Sequence, residues 1–183
     1  MPLSLSWKAS DLERQEIESA LEELGSELEK RGIRDARLLL VGGAVMVMDF
    51  GAREMTDDVD GGVYPAKVVL EVAAEIGERR GWDPKWLNDA AKIYIPDFKR
   101  PDWKSIKKVG TLEIFTADAR AMLAMKMRAS RGARDEIDLT VLLSECGIAS
   151  AEEAVSLYEE YFPEDPLPAQ AVPMIRFALE HSK

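Results

Sequence analysis

The spacing of apolar residues predicts a helix near the start of the chain, over residues 9–31. Leucine and isoleucine recur there every three or four positions, as on the buried face of a helix, at Leu12, Ile17, Leu21, Leu24 and Leu28. Ser10 is a suitable N-cap, and Glu13 follows three residues later as in a capping box. Gly32 ends the pattern, so the predicted helix ends there.

Two short apolar runs predict strands on either side of a small helix. Residues 37–42, RLLLVG, form a continuous apolar run typical of a buried strand, and Gly42-Gly43 then turns the chain into a helix of about two turns. The second run, DDVDGGVY at 57–64, is interpreted as the next strand. The helix that follows opens with Pro65 and ends at Gly81.

The middle of the chain is irregular, because residues 82–108 hold three of the nine prolines and three of the four tryptophans. Proline interrupts helices and inner strands, so we predict loops here around one short strand at 92–95. A third strand is predicted at 111–115, with Thr116 capping a helix at 117–130. The remaining patterns predict three more helices, at 135–145, 150–162 and 166–181.

This order of elements predicts an α/β (α+β) fold, in which helices pack on a small mixed sheet and a helical C-terminal tail follows. We expect residues 1–133 to form the α/β core with its N-terminal helix. Residues 134–183 are expected to form a helical extension packed on that core. A chain of 183 residues is long enough for one such domain with an appendage.

Composition limits the chemistry that is available. One cysteine and one histidine cannot build a Cys/His zinc site, so a metal ion would be held by oxygen. The net charge of −10 disfavours broad binding to nucleic acid, although residues 99–108 include a local basic cluster. The sequence has no apolar stretch of membrane-spanning length and no signal-peptide pattern, so we expect a cytoplasmic protein without membrane contact.

Two aspartates, Asp58 and Asp60, stand two positions apart on the second predicted strand. Side chains at this spacing lie on the same face of a strand, about 7 Å apart along the chain. Neighbouring carboxylates raise each other's pKa, a cost usually found where a cation lies between them. Their oxygens suit Mg²⁺ or Mn²⁺. The alternative is an exposed edge strand on which negative charge prevents aggregation.

The glycines at 42 and 43 favour the metal interpretation. A strand that ends in Gly-Gly before a helix can present backbone N–H groups to a phosphate. The next strand then carries the paired aspartates Asp58 and Asp60. The combination predicts a phosphate site that faces a metal site.

This combination resembles the signature of the polymerase-beta-like nucleotidyltransferase superfamily, in which a Gly-Gly or Gly-Ser turn precedes Asp-x-Asp on the next strand. The likeness is greater to a small bacterial branch allied to the AbiEii-type and MenT-type toxins. The residues that match its pattern are Gly43, Ala44, Gly51, Arg53, Thr56, Asp58, Val59 and Asp60. The segments 86–92, WLNDAAK, and 126–139 also resemble elements of that branch.

The resemblance implies that Mg²⁺ (or Mn²⁺) assists the transfer of a nucleoside monophosphate from an NTP to an acceptor. It also implies a third carboxylate that joins Asp58 and Asp60 as a catalytic metal ligand. Glu113 is the candidate, because it is the only acid within the third predicted strand, where the superfamily more often has aspartate. The acceptors considered are tRNA and a protein, and an antitoxin-type protein is a candidate partner.

Five further residues are candidates for nucleotide binding. Arg53 and Thr56 are expected to contact a phosphate, against the alternative of turn chemistry and a surface ion pair. Asn88 and Lys92 are expected to reach the base or ribose, unless Asn88 caps a turn. Lys126 interrupts an apolar helical stripe, where a lysine either extends its amine to the surface or is held by an anion. The resemblance implies that this anion is the triphosphate.

Two other functions stay open. A catalytically silent domain of the same fold would act as a binding or regulatory module, for instance one half of a toxin–antitoxin pair. A phosphate-ester hydrolase that uses the same acids would release phosphate without transferring a label. Fold alone does not decide among these functions, because one scaffold hosts many activities.

Overall fold

The structure of the protein is a computed structural model that describes residues 11–130 and 132–181. The chain divides into two compact units. Of the described residues, the first unit comprises 11–91 and 105–116, and the second comprises 92–104, 117–130 and 132–181. The first unit holds the mixed sheet, and the second is mainly helical.

The sheet has five strands in the order β5-β4-β2-β7-β6. Their bounds are β2 Ala36–Val41, β4 Val59–Tyr64, β5 Leu87–Asn88, β6 Trp103–Val109 and β7 Leu112–Ala117. The central strand β2 runs antiparallel to β4 and parallel to β7, and β4 runs parallel to β5. This mixed sheet with its helices confirms the predicted α/β (α+β) class.

One face of the sheet forms the core of the first unit. Leu38 and Leu40 of β2 are fully buried, whereas Arg37 on the same strand is exposed. Val59 on β4 and Ile114 on β7 are also fully buried. The alternation follows from the two-residue period of a strand, which sends successive side chains to opposite faces.

Two long helices complete the first unit, α1 Arg14–Lys30 and α3 Ala66–Arg80. The first helix begins at Arg14 rather than after Ser10, because Glu13 is its N-cap and forms a capping box with Glu16. The expected cap Ser10 lies outside the described residues. Arg79 and Arg80 of α3 both form ion pairs with Glu23 of α1, and these bonds join the two helices.

A short helix and a two-stranded sheet surround the glycine turn. The helix α2, Gly42–Met48, has seven residues, close to the predicted two turns. The strand β1, Leu12–Glu13, pairs antiparallel with β3, Met55–Thr56. This pairing fixes the segment that leads into β4.

The irregular middle of the chain differs from the prediction. The expected strand at 92–95 is wrong, because Ala90–Tyr94 is a 3-10 helix. The strand β6 lies in the segment for which the prolines predict loops, and that prediction is wrong there. With Lys104, Lys107 and Lys108, its sequence lacks the apolar alternation that would have indicated a strand. Lysine-rich strands are typical of sheet edges, and β6 is an edge strand.

The second unit contains four helices within the described residues. They are α4 Ala119–Ala129, α5 Ala133–Glu145, α6 Ala151–Tyr161 and α7 Ala171–His181. The expected cap at Thr116 is wrong, because β7 extends through that residue. Asp118 caps α4 instead, accepting hydrogen bonds from the backbone N–H groups of Arg120 and Ala121. None of the described helices combines the length and apolar character of a membrane span.

Candidate functional site

The glycine turn and the second aspartate meet at the end of β2. The last residue of β2, Val41, is the register partner of Asp60 on β4. Gly42 has φ +69°, in the left-handed region that favours glycine, and a Cβ atom there would lie 3.5 Å from Asp60 Oδ2. The absence of a side chain at Gly42 therefore leaves its backbone directly beside the carboxylate.

Gly43 faces the segment before β4. A Cβ atom on Gly43 would collide with Thr56 Oγ1 and would lie 3.7 Å from an Arg53 guanidinium nitrogen. The buried Thr56 hydroxyl donates a hydrogen bond to the backbone carbonyl of Asp58, at 3.2 Å. A glycine at 43 is thus required for this close packing, and the turn brings Arg53 and Thr56 to the same place.

Asn88 links the two aspartates. On the neighbouring strand β5 it is the register partner of Asp60, and its Nδ2 donates a hydrogen bond to Asp58 Oδ2 at 3.0 Å. Its Oδ1 accepts a hydrogen bond from the backbone N–H of Ala90, also at 3.0 Å. Because the amide oxygen is occupied by a backbone donor, the NH₂ group is oriented toward Asp58. The contact of Asn88 seen here is with a carboxylate.

The structure therefore brings together seven of the ten predicted site residues: Gly42, Gly43, Arg53, Thr56, Asp58, Asp60 and Asn88. Asp58 and Asp60 are both partly exposed. Mg²⁺ commonly uses one or two carboxylates and completes its coordination with waters and substrate phosphates. The donor chemistry of this pair fits that ion.

The third predicted metal ligand lies elsewhere in the sheet. Glu113 is the register partner of Arg37, four positions along β2 from Val41, the partner of Asp60. At the usual strand rise, this offset amounts to roughly 13 Å along the sheet. Glu113 also accepts a hydrogen bond from the Ser105 hydroxyl at 2.8 Å. It does not converge with Asp58 and Asp60, because it stands near the start of β7 rather than its end.

No other acid takes the place of Glu113 in the part of the chain that is described. Among residues 11–130 and 132–181, no group of three or more His, Cys, Asp or Glu side chains could hold a metal ion. Thr116, near the end of β7, is buried and donates a hydrogen bond to Asp49 Oδ2 at 3.1 Å. Within that range, Asp58 and Asp60 therefore have no third His, Cys, Asp or Glu side chain that would complete a metal site with them.

Lys126 lies in the second unit, in a buried ionic cluster. Its Nζ is 3.1 Å from Asp135 Oδ1 and 2.5 Å from Asp138 Oδ2. All three residues are buried, and Asp138 is fully inaccessible. The lysine on the apolar stripe is thus held inward by anions, but these are carboxylates of α5. The signal available in the sequence was the spacing of the two aspartates, which places both on one face of a helix.

Lys92 is also in the second unit, in the middle of the 3-10 helix. It follows Asn88 by four residues in the chain. Its expected contact with the base or ribose stays a prediction.

A large cavity adjoins the aspartate site within the first unit. Its volume is about 830 Å³. Its lining comes from α3, from the segment 83–90 that includes Asn88, and from Asp57 and Asp58. Trp86 stabilises its wall, because its indole Nε1 donates a hydrogen bond to the carbonyl of Ala73 at 2.7 Å and its own carbonyl accepts one from Val59. The sequence did not predict this cavity, because its walls come from separate elements.

Comparison with known families places this geometry in context. Residues 17–96 match the model of a family described as "Nucleotidyl transferase of unknown function (DUF2204)". The match spans fewer than half of the 183 residues, and it includes the glycine turn, both aspartates and Asn88. No curated protein and no solved structure matches the chain. In this part, which carries the candidate site, the chain is therefore similar to a nucleotidyltransferase family.

Proposed function

We propose that the protein is a Mg²⁺-dependent nucleotidyltransferase that moves a nucleoside monophosphate from an NTP to an acceptor. The observation that carries the proposal is the position of Asp60 beside Gly42, next to Asp58 and its partner Asn88. The matched family model supports the same class of reaction. The catalytic assignment covers Asp58 and Asp60 and leaves out Glu113.

Each residue of the site has a chemical task in this proposal. The backbone of Gly42 and Gly43 is partly exposed and carries no side chains of its own, so its N–H groups can bind a phosphate. Arg53 supplies a guanidinium that can bind phosphate oxygens in a bidentate manner. Asp58 and Asp60 would hold Mg²⁺. When bound, the ion neutralises charge on the phosphates and lowers the barrier to displacement.

The reaction is a displacement at phosphorus. An acceptor hydroxyl oxygen forms a bond to the α-phosphorus of the NTP, and the bond from that phosphorus to the bridging oxygen breaks. Pyrophosphate leaves with the electron pair of the broken bond, and the hydroxyl proton passes to water. The protein contributes by positioning the reactants and by stabilising charge.

Asn88 is a positioning residue in this scheme. Its amide is held by the Ala90 backbone and holds one oxygen of Asp58, so the carboxylate keeps one orientation. Such hydrogen bonds to a metal-binding carboxylate also tune its basicity.

The two lysines are assigned by the resemblance alone. We propose that Lys92 contacts the nucleotide and that Lys126 contacts its phosphates. For Lys126 this contact would replace one of the present carboxylate partners, Asp135 or Asp138. Kinship with the AbiEii-type and MenT-type toxins, an RNA or protein acceptor, and an antitoxin-type partner belong to the same proposal.

Calorimetry tests the nucleotide site directly. Each of the four NTPs is titrated into the protein with Mg²⁺ and with EDTA. We expect Mg²⁺-dependent binding of at least one NTP by the wild type and by the control Glu54→Gln, an exposed residue near the site. Asp60→Asn should lose it. A wild type that binds none of the four NTPs would refute the proposal.

A catalytically silent binding module is the second candidate, because Glu113 does not join the aspartate pair. Label transfer separates the two functions. The protein is incubated with α-labelled NTPs and total RNA or cell protein, with Asp60→Ala as control. Transfer by the wild type alone supports the enzyme, whereas NTP binding without transfer supports the module. Release of phosphate without transfer would indicate a hydrolase instead.

A further inference from the structure

We propose that the open face of the sheet around Tyr64 and Arg37 binds one nucleotide of a single-stranded RNA acceptor, with the base stacked on Tyr64 and a phosphate on Arg37. The inference rests on the proposed nucleotidyltransferase function and names where its acceptor is held. Three observations carry it: the two side chains stand opposite each other on neighbouring strands, neither has a partner in the described chain, and the groove they line continues the face that bears Asp60.

Alternation along the strands places both side chains on the face of the sheet that is turned away from the core. Leu38 and Leu40 of β2 are fully buried on the core face, so Arg37 and Leu39 point to the other face. Arg37 is the register partner of Tyr64 on β4, and residues paired in this way stand on the same face. Both are exposed, Tyr64 to 65%, so this part of the sheet is open to solvent.

The guanidinium and the ring both lack partners. In the described part of the chain, the Arg37 guanidinium forms no hydrogen bond or ion pair, and the Tyr64 ring has no aromatic or cationic neighbour. Glu113, the register partner of Arg37 on β7, accepts a hydrogen bond from the hydroxyl of Ser105 instead. An unpaired guanidinium next to an uncovered ring offers a phosphate-binding group and a stacking surface to the same ligand.

A groove lined by both side chains has the size for one planar ring. Its volume is about 350 Å³, near the lower end of ligand sites, which commonly measure about 300–1,000 Å³. The lining residues are Arg37, Leu39, Gly62, Val63 and Tyr64. Gly62 has no side chain, so a ring can approach the backbone there, and Leu39 supplies apolar surface. Single-stranded RNA is commonly recognised through unstacked bases that pack on exposed aromatic side chains.

The groove continues the face that carries the candidate catalytic aspartate. Asp60, Gly62 and Tyr64 follow one another at two-residue spacing along β4, so all three point to one face. Tyr64 lies four residues from Asp60, roughly 13 Å along the strand. An RNA strand held by a base at Tyr64 can therefore extend along the sheet to the reacting phosphate. The net charge of −10 opposes RNA binding in general, so stacking must supply much of the affinity.

Fluorescence anisotropy with matched strands tests the inference. The probes are a labelled oligoadenylate and a labelled strand of the same length that lacks all of its bases, so that the two have equal charge and differ only in stacking. At low ionic strength, we expect the wild type to bind the oligoadenylate about five-fold or more tightly than the abasic strand. Equal affinity for the two strands, or binding of neither, would overturn the proposal.

Two substitutions of the tyrosine locate the base. Tyr64→Ala should weaken oligoadenylate binding about five-fold or more, whereas Tyr64→Phe keeps the ring and should bind as the wild type does. Phe98→Ala is the matched control, because it removes a ring that is 78% exposed elsewhere in the chain. If this control weakens binding as much as Tyr64→Ala does, the stacking is unspecific and the site is refuted.

The salt dependence of binding tests the phosphate contact. Arg37→Gln should weaken oligoadenylate binding and lower the slope of log affinity against log salt concentration by about 0.7, the value for one phosphate of a single strand. Lys67→Gln removes an equal charge from an exposed position on α3 and should leave the slope unchanged. An unchanged slope in Arg37→Gln would contradict the assignment of Arg37.

Further measurements separate this inference from the proposed function and from self-association. Circular dichroism verifies folding, and Mg²⁺-dependent NTP binding should persist in Tyr64→Ala. If RNA binds through its bases but no NTP binds, the proposed function fails and the acceptor role fails with it. If NTP binds but RNA binding does not depend on the bases, only the present inference fails. If sedimentation shows a dimer that Tyr64→Ala dissociates while RNA binding is unchanged, the face is an interface between copies and the inference is overturned.

Discussion

Asn88 Nδ2 donates a hydrogen bond to Asp58 Oδ2 at 3.0 Å, across the short parallel pairing of β4 with β5. The amide oxygen of the same side chain accepts a hydrogen bond from the backbone N–H of Ala90, so both ends of the amide are held. A carboxylate held in this way keeps one oxygen directed to its partner and leaves the other for a ligand. The pairing of two short strands thus sets the geometry of the candidate metal site.

Replacing Asn88 should lower the proposed metal affinity or transfer rate while it changes the stability of the fold little. Asn88→Ala removes the donor to Asp58, and we expect metal affinity or transfer rate to fall by about 10-fold to 100-fold. Asn88→Asp should also lose the bond, because an ionised carboxylate has no N–H to donate to Asp58. The measurement is the Mn²⁺ dependence of NTP binding, with thermal unfolding as the check on stability. Unchanged metal dependence in both variants would show that the bond to Asp58 is only structural.

Gly43→Ala should disturb the glycine turn through a direct clash. The new Cβ would collide with Thr56 Oγ1, and we expect a loss of about 1–3 kcal/mol in the free energy of unfolding, with weaker NTP binding. The double variant Gly43→Ala with Thr56→Ala should recover part of that stability, because the colliding atom is removed. Urea denaturation measures both effects.

Gly51→Ala is the matched control for this clash. Gly51 has φ +60°, and an added Cβ would meet nothing within 4 Å, so only backbone strain is introduced. Adding Thr56→Ala to Gly51→Ala should lower stability by the same amount as Thr56→Ala does alone, since the two positions do not touch. If the second substitution rescues both glycine variants equally, the specific contact between positions 43 and 56 is contradicted.

Lys126→Met should strongly destabilise the second unit. The substitution removes the cation held between Asp135 and Asp138, and breaking a buried ion pair from one side costs about 3–5 kcal/mol. Lys99→Met is the control, since Lys99 pairs with Glu160 in a largely exposed setting and should cost about 1 kcal/mol or less. Both values come from urea denaturation.

The same pair of variants separates two roles of Lys126. If Lys126→Met unfolds as the wild type does but loses NTP binding, its main partner is a phosphate and the buried cluster contributes little. If stability falls as expected and the folded fraction still binds NTP with full affinity, the phosphate contact proposed for Lys126 is contradicted.

The local part of the site was predictable from the sequence, because it depends on short-range rules. Gly42-Gly43 marks a turn through its composition, and the two-residue spacing of Asp58 and Asp60 needs no knowledge of neighbouring strands. The helices of the second unit were likewise predicted from apolar spacing. Each of these features is encoded within about ten consecutive residues.

The position of Glu113 could not be predicted in this way, because it depends on the register between separate strands. Glu113 faces Arg37, whereas Asp60 faces Val41 at the other end of β2. A shift of four residues in the pairing would reverse that outcome without changing any local pattern. The edge strand β6 was missed for a different reason, because its lysines leave too few apolar residues to show the alternation of a strand.

Cys146, the only cysteine, should react slowly with alkylating reagents in the folded protein. Burial raises the pKa of its thiol from 9.0 to about 11, so less of the reactive thiolate is present at pH 8. Because a more basic thiolate is also a better nucleophile, we expect native labelling by iodoacetamide to be about 10-fold to 100-fold slower than labelling in urea. The native rate should keep rising between pH 9 and pH 10, whereas the rate for the unfolded chain levels off. Mass spectrometry of timed samples measures both, with circular dichroism to verify folding, and a native rate that levels off near pH 9 would contradict the raised pKa of this half-buried thiol.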